Sequence, residues 1–169
     1  MLVDIDKRCS KCNKIYHIKA VYTTNSIRSG DLDLRPPPMT RDIMETWIQR
    51  CTYCGYSSPN VENENSITSD FLQSNKYHSI LQNKKVPDLC ISFLCWAVIA
   101  NELQLYNESV AAYLDAAWVC DDKLNAISNE SRLKCIDEIK KAQNNNQLVI
   151  QSPKSDDILM LDLLRRTVQ

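Results

Sequence analysis

The chain of 169 residues is 44% hydrophobic and 24% charged, with a net charge of −1, which suits one soluble domain or a small module followed by a medium one. A net charge so close to zero gives no reason to expect a polyanionic partner. The longest apolar run, at residues 93–100, is too short to span a bilayer, and the N-terminus lacks the apolar stretch of a secretory signal. We therefore expect a cytoplasmic, reduced protein that makes no use of a membrane.

Residues 1–60 are predicted to form one module. Two of its segments, 14–22 and 45–50, are β-branched and aromatic enough for strands. This part carries a charge of +3 from nine basic and six acidic residues, whereas 61–169 carries −4 from eleven basic and fifteen acidic residues. The polar segment 57–69 lacks an apolar period, which places the module boundary near residue 60.

Residues 61–169 are predicted to form a helical module, because no glycine follows Gly55 and apolar residues recur at spacings of three and four. One helix is expected from Ser69 to about 83, and a second begins at Pro87 and is broken by Asn107. The pattern then predicts a helix to about 120, another over 125–143, and a last one from near 155. In the fourth helix, Leu133, Ile136 and either Ile139 or Lys140 are expected to face the core.

Two Cys-x-x-Cys pairs, Cys9 with Cys12 and Cys51 with Cys54, are separated by 38 residues. Such a pair can bend so that both sulfur atoms point at one ion, and two pairs complete a tetrahedral shell of four thiolates, which suits Zn²⁺. The second pair is followed by Gly55 and the first by Asn13, the two residue types that best tolerate positive φ. The pattern predicts one shared metal site.

A shell of four cysteines leaves no open coordination position, so the predicted zinc is structural rather than catalytic. A module of about 60 residues with few large apolar side chains needs a cross-link such as a bound metal to stay folded. Iron remains an alternative, because the sequence CTYCGY (51–56) also resembles a rubredoxin turn. The remaining cysteines are expected to be buried thiols; they are Cys90, Cys95, Cys120 and Cys135.

The helical module carries part of the tetratricopeptide pattern. Ala97, Ser109 and Ala116 occupy the small-residue positions at which paired helices cross, and Tyr113 occupies an aromatic position of the second helix. The match is partial, since Ala100 replaces a usual aromatic residue. A tetratricopeptide-like array and a plain array of helical hairpins both stay open.

The chain resembles a family of uncharacterised bacterial proteins in its order of motifs, which are Cys-x-x-Cys, DLDLRPPPM (31–39), WIQRCTYCGY (47–56), AAWVCDD (116–122) and LDLLRR (161–166). The resemblance implies a mostly helical α+β fold, in which a zinc-ribbon-like N-terminus precedes tetratricopeptide-like helices. It implies a metal but no activity. It also implies further helical sequence after the last helix.

The first functional hypothesis is a non-catalytic scaffold that binds a partner protein or peptide. Asp31, Asp33 and Arg35 alternate in an extended, proline-braced segment, which makes their charges candidate partner contacts, while Leu32 and Leu34 would face inward. Three tryptophans are candidate anchors if they are exposed, although two of them fit core positions; they are Trp47, Trp96 and Trp118.

The alternative hypothesis is a nucleic-acid-binding zinc ribbon. Basic side chains around the first pair could contact phosphates while an aromatic ring stacks on a base; the candidates are Lys7, Arg8, Lys11, Lys14, Tyr16 and Lys19. Catalysis is the least favoured class, because the chain has two histidines, no glycine-rich phosphate loop and no open metal position. We do not expect an enzyme.

Overall fold

The computed structural model describes residues 2–22, 35–123, 126–150 and 152–168. This part of the protein is mostly helical, with two small antiparallel sheets, as the α+β prediction expects. By contacts the chain divides into two compact units, Met1–Gln82 and Asn83–Gln169. Residues 61–82, which the sequence pattern assigns to the helical module, thus fall within the first unit. Among the described residues, no helix combines the length and apolar character needed to cross a membrane.

Two hairpins carry the cysteine pairs of the first unit. Strand β1 (Leu2–Arg8) pairs antiparallel with β2 (Ile15–Val21), which confirms the predicted strand at 14–22. Strand β3 (Gln49–Arg50) pairs antiparallel with β4 (Ser57–Ser58). One Cys-x-x-Cys pair lies in the turn of each hairpin.

The strand predicted at 45–50 is wrong except at its end. Helix α1 (Pro38–Arg41) and a 3-10 turn (Met44–Thr46) precede β3. Met44 and Ile48 are both buried. This burial outweighs the β propensity of the segment.

The single helix predicted from Ser69 to about 83 is two short helices, α2 (Ser69–Leu72) and α3 (Asn75–Leu81). Each has its own N-cap, since the side-chain oxygen of Thr68 accepts from the Phe71 amide and that of Ser74 accepts from the Tyr77 amide. Serine and threonine favour such caps over a helix interior, which explains the break.

Four consecutive helices form the second unit. They are α4 (Asp88–Glu102), α5 (Tyr106–Asp122), α6 (Ile127–Asn144) and α7 (Pro153–Thr167). Each packs on the next, and the short connections make neighbours antiparallel. Gln104 and Asn146 have φ values of 58° and 54°, and they end α4 and α6. The predicted break at Asn107 therefore lies three residues too late.

The crossing of α4 and α5 is made of small side chains. Ala97, Ser109 and Ala116 are fully buried, as expected for positions where two helices approach closely. The Ser109 hydroxyl donates to the Ala97 carbonyl oxygen at 2.9 Å, so its polar group is satisfied inside the core.

Helix α6 faces the core with a different set of residues from the one predicted. Ile136 and Ile139 are buried as expected, but Leu133 is 53% exposed. The buried face is shared with polar side chains, because Arg132 pairs with Asp121 and is only 5% exposed. Arg132 therefore occupies a position on the core face where an apolar pattern predicts a hydrophobic residue.

Substitutions on α6 test which side of this helix faces the core. Ile139→Ala leaves a cavity in the core, and we expect it to lower the free energy of unfolding by about 2–5 kcal/mol. Leu133→Ala, the control, should change it by less than about 1 kcal/mol because the side chain is already in contact with water. Urea unfolding followed by far-UV circular dichroism measures both, and equal losses would contradict the observed orientation of α6.

Candidate metal centre

The two cysteine pairs lie in turns of the same local structure. The Asn13 amide donates to the carbonyl oxygen of Cys9 at 2.8 Å, and the Gly55 amide donates to that of Cys51 at 2.9 Å. Asn13 has φ 60° and Gly55 has φ 74°, so both adopt the left-handed conformation predicted for them. This conformation is the one that lets each short turn close behind its second cysteine.

The four cysteine sulfur atoms converge on one point. All four Sγ atoms lie within 4.8 Å of one another. Sulfur–sulfur contacts of 3.6 Å join Cys9 to Cys54 and Cys12 to Cys51. Each contact therefore links a cysteine of one turn to a cysteine of the other. A tetrahedral site with metal–sulfur bonds of about 2.3 Å has sulfur–sulfur edges of about 3.8 Å. The cluster therefore has the donors and the spacing to hold one metal ion.

A buried tyrosine lies near the cysteine cluster. Tyr16, on β2, is 6% exposed, and its hydroxyl has no hydrogen-bond partner among the described residues. Burial, together with the negative charge of the nearby cysteines, raises its pKa. No sulfur atom of the cluster lies within hydrogen-bonding distance of this hydroxyl, so among the described residues it is a buried polar group without an acceptor.

The thiols differ in how readily they ionise. Burial raises the pKa of Cys51 and of Cys54. Burial also acts to raise the pKa of Cys12, but hydrogen bonds from the Lys14 amide and from the neighbouring sulfur atoms outweigh it and lower that pKa. A bound ion must therefore displace protons from the buried sulfur atoms, which couples its affinity to pH.

A cleft of about 790 Å³ opens beside the cysteine cluster. Cys12 and Cys54 reach its wall from the two turns, while α2 and α3 supply Leu72, His78 and Leu81. The lining thus combines apolar side chains with groups that form hydrogen bonds. His78, which the helical pattern does not single out, faces this cleft.

Hydrogen bonds from residues 61–82 brace the second cysteine turn. The Tyr77 hydroxyl donates to the Gly55 carbonyl oxygen at 2.7 Å. The Asn65 side-chain amide donates to the Tyr56 hydroxyl at 2.6 Å. The helical period predicts that Tyr77 faces inward, but nothing local in the sequence indicates which turn it reaches. These contacts explain why this segment belongs to the first unit.

The basic residues proposed for nucleic acid on the strands form contacts within the protein. Lys7 pairs with Glu62, and the Lys19 ammonium lies 3.2 Å from a Glu45 carboxylate oxygen.

The basic residues in and beside the first cysteine turn also form contacts within the protein. The Arg8 guanidinium donates to the Asn13 carbonyl oxygen at 3.0 Å. The Lys14 ammonium lies 4.5 Å from the centre of the Tyr53 ring. The Lys11 ammonium donates to a backbone carbonyl oxygen at 2.7 Å. Since Tyr16 is buried, its ring is not presented to a base.

The proline-braced segment is described only in part. Asp31 and Asp33, two of the candidate partner contacts, lie outside the described residues, as do Leu32 and Leu34. Arg35 is half-buried at the start of the described stretch that leads into α1. The role predicted for this segment stays a prediction.

The other four cysteines are fully buried in the second unit, as predicted; they are Cys90, Cys95, Cys120 and Cys135. Of the tryptophans, Trp96 and Trp118 are 5% exposed and belong to the core, whereas Trp47 is half-buried. His17 is exposed on β2, and its Nδ1 lies 2.5 Å from an Asp6 carboxylate oxygen.

No protein-family model, curated protein or solved structure matches this chain. The resemblance to zinc-ribbon-like bacterial proteins with tetratricopeptide-like helices stays a prediction. Function is therefore inferred from the residues of this chain alone.

Gly55→Ala tests the geometry of the second turn. A β-carbon at this position would meet a Leu81 methyl carbon at 2.5 Å, and φ 74° is unfavourable for alanine. We expect the free energy of unfolding of the first unit to fall by about 1–2 kcal/mol. Calorimetric unfolding measures the change.

Asn13→Gly is the matched control in the first turn. Glycine accepts the same positive φ at no steric cost, so we expect a change of less than about 0.5 kcal/mol. A Gly55→Ala protein as stable as the Asn13→Gly protein would show that the positive φ at residue 55 is not required.

Proposed function

We propose that Cys9, Cys12, Cys51 and Cys54 bind one structural Zn²⁺. Support comes from the convergence of the four sulfur atoms within 4.8 Å at the spacing of a tetrahedral thiolate site. When bound, the ion supplies a cross-link between the two hairpins and neutralises part of the thiolate charge. Elemental analysis of purified protein distinguishes one equivalent of zinc from the iron alternative.

Four thiolates around one ion leave no position for a substrate or a reactive water, so the proposed site is non-catalytic. The ion ties residues 9–12 to residues 51–54 and thereby closes a long loop in a unit whose strands are short. Because the ligands converge only in the folded unit, the free energy of binding the ion adds to the stability of that unit.

Loss of one ligand should unfold the first unit and spare the second. In Cys51→Ser we expect loss of the bound zinc and of the hairpin signals in NMR, while the far-UV helical signal of α4–α7 persists. The matched control is Cys95→Ser, a fully buried cysteine outside the cluster, which should retain the metal. Complete loss of helical signal in Cys51→Ser would contradict the independence of the two units.

We further propose that the protein is an interaction or scaffold module that binds a protein or peptide, with tetratricopeptide-like packing in its helical unit. The packing is supported by the buried small residues Ala97, Ser109 and Ala116 at the α4–α5 crossing. The observation that carries the binding function is the 790 Å³ cleft beside the metal centre. A cleft of this size that combines apolar and polar groups suits a peptide side chain with its flanking backbone.

A substitution at the rim of the cleft tests peptide binding without removing a core side chain. Tyr53 lines the cleft and is 58% exposed. In a peptide-display selection on the zinc-loaded protein, we expect enriched peptides to bind Tyr53→Ala about tenfold or more weakly, because an exposed aromatic residue is the type that dominates such contacts. Isothermal titration measures the change.

Tyr22→Ala is the control, since Tyr22 is a 74% exposed tyrosine of the first unit that does not line the cleft. Failure to enrich any peptide, or equal binding by both variants, would count against the cleft as the binding site.

Nucleic-acid binding is the alternative function, through Lys7, Arg8, Lys11, Lys14 and Lys19. It is less favoured because these side chains already contact Glu62, Glu45, Tyr53 or backbone carbonyl oxygens. A flat titration with a single-stranded oligonucleotide at low salt is the expected result. Binding that weakens with salt and in Lys14→Ala would favour this alternative.

A further inference from the structure

Helix α7 has apolar side chains on two opposite faces. Leu159 and Leu163 are 2% and 0% exposed and pack on the rest of the second unit. The other face exposes Ile158, Leu161 and Leu164 at 53%, 67% and 44%. Scattered exposed leucines are common on proteins, but a row of them along one helix is typical of an interaction surface.

This exposed face is symmetric about Leu161. A helix turns by about 100° per residue, so Ile158 and Leu164 lie about 60° to either side of Leu161 and at equal distances along the axis. Asp157 and Arg165 lie about 40° to either side, again at equal distances. The face therefore carries matching apolar positions, with an acid toward one end and a base toward the other.

We propose that a second copy of this chain docks on this face, with the two α7 helices antiparallel and a twofold axis beside Leu161. Antiparallel pairing brings Ile158 of one copy level with Leu164 of the other. It also brings Asp157 of one copy level with Arg165 of the other, which are opposite charges.

The charges favour antiparallel over parallel pairing. A parallel pair would bring each Asp157 level with the other Asp157, and each Arg165 level with the other Arg165, so that like charges repel. The Arg165 guanidinium also bonds to Asp162 of its own chain at 2.9 Å, but it has five N–H donors and remains 59% exposed. It can therefore serve both carboxylates.

Two further residues extend the same symmetry. Lys154 and Val168 lie seven residues before and after Leu161 and are both exposed. In the antiparallel pair, the aliphatic stem of each lysine covers the valine of the other copy while its ammonium reaches water. Each of the seven exposed positions of the face thus lies level with an exposed position of the second copy.

A single helix pair buries a small area, so the dimer should be weak and depend on concentration, with a dissociation constant in the micromolar range. The proposal is independent of the metal site and of the cleft. Sedimentation equilibrium of the full zinc-loaded chain from roughly 1 to 200 µM should show a monomer–dimer equilibrium, the range that such an interface requires. A monomer throughout this range would overturn the proposal.

Leu161→Glu tests the centre of the interface, because each copy would place a carboxylate against its own image. We expect it to abolish dimerisation, and its exposure means that the fold should survive. Leu133→Glu is the matched control, since Leu133 is 53% exposed on α6, and it should dimerise like the unaltered protein. A dimer that persists in Leu161→Glu would overturn the proposal.

Charge-reversal variants test whether the two α7 helices pair antiparallel or parallel. Asp157→Arg and Arg165→Asp each bring like charges level with one another, and each alone should weaken the dimer about tenfold. A mixture of the two variants restores opposite charges at both places, and a heterodimer should form with nearly the original affinity. Local effects on α7 are the same in the separate and mixed samples, so a mixture that dimerises no better than either variant alone would overturn the antiparallel arrangement.

Discussion

The first unit depends on one constraint, the convergence of two Cys-x-x-Cys turns that are separated by 38 residues of sequence. Short hairpins of two and seven residues per strand bury too little apolar surface to hold such a loop closed. Four sulfur atoms around the proposed ion would supply the missing closure. The turns themselves are local structures, since each needs only its cysteine spacing and a residue that accepts positive φ.

The remaining contacts of the first unit are arranged around these turns. The Ser10 amide donates to the carbonyl oxygen of Val61 at 2.9 Å, and the Tyr77 hydroxyl donates to that of Gly55 at 2.7 Å. Both bonds join the cysteine turns to residues 61–82. The same residues form one side of the cleft, so the proposed binding site and the proposed metal site share a wall. A change that loosens the turns should therefore also alter the cleft.

Local features of the sequence predict more than features that depend on distant contacts. The clustering of the four cysteines, the positive φ of Asn13 and Gly55 and the existence of the helices follow from spacing and residue type. The assignment of 61–82 to the first unit does not, because it depends on where Val61 and Tyr77 make their contacts. The exposure of Leu133 escapes the pattern for a related reason, since a buried ion pair of Arg132 takes up part of the core face.

The most direct test of the central claim is X-ray absorption spectroscopy of the purified protein at the zinc edge. Structural zinc in the four-cysteine site predicts four sulfur neighbours at about 2.3 Å and no nitrogen or oxygen in the inner shell. An inner shell that contains nitrogen or oxygen, or a folded protein that carries no zinc, would contradict it.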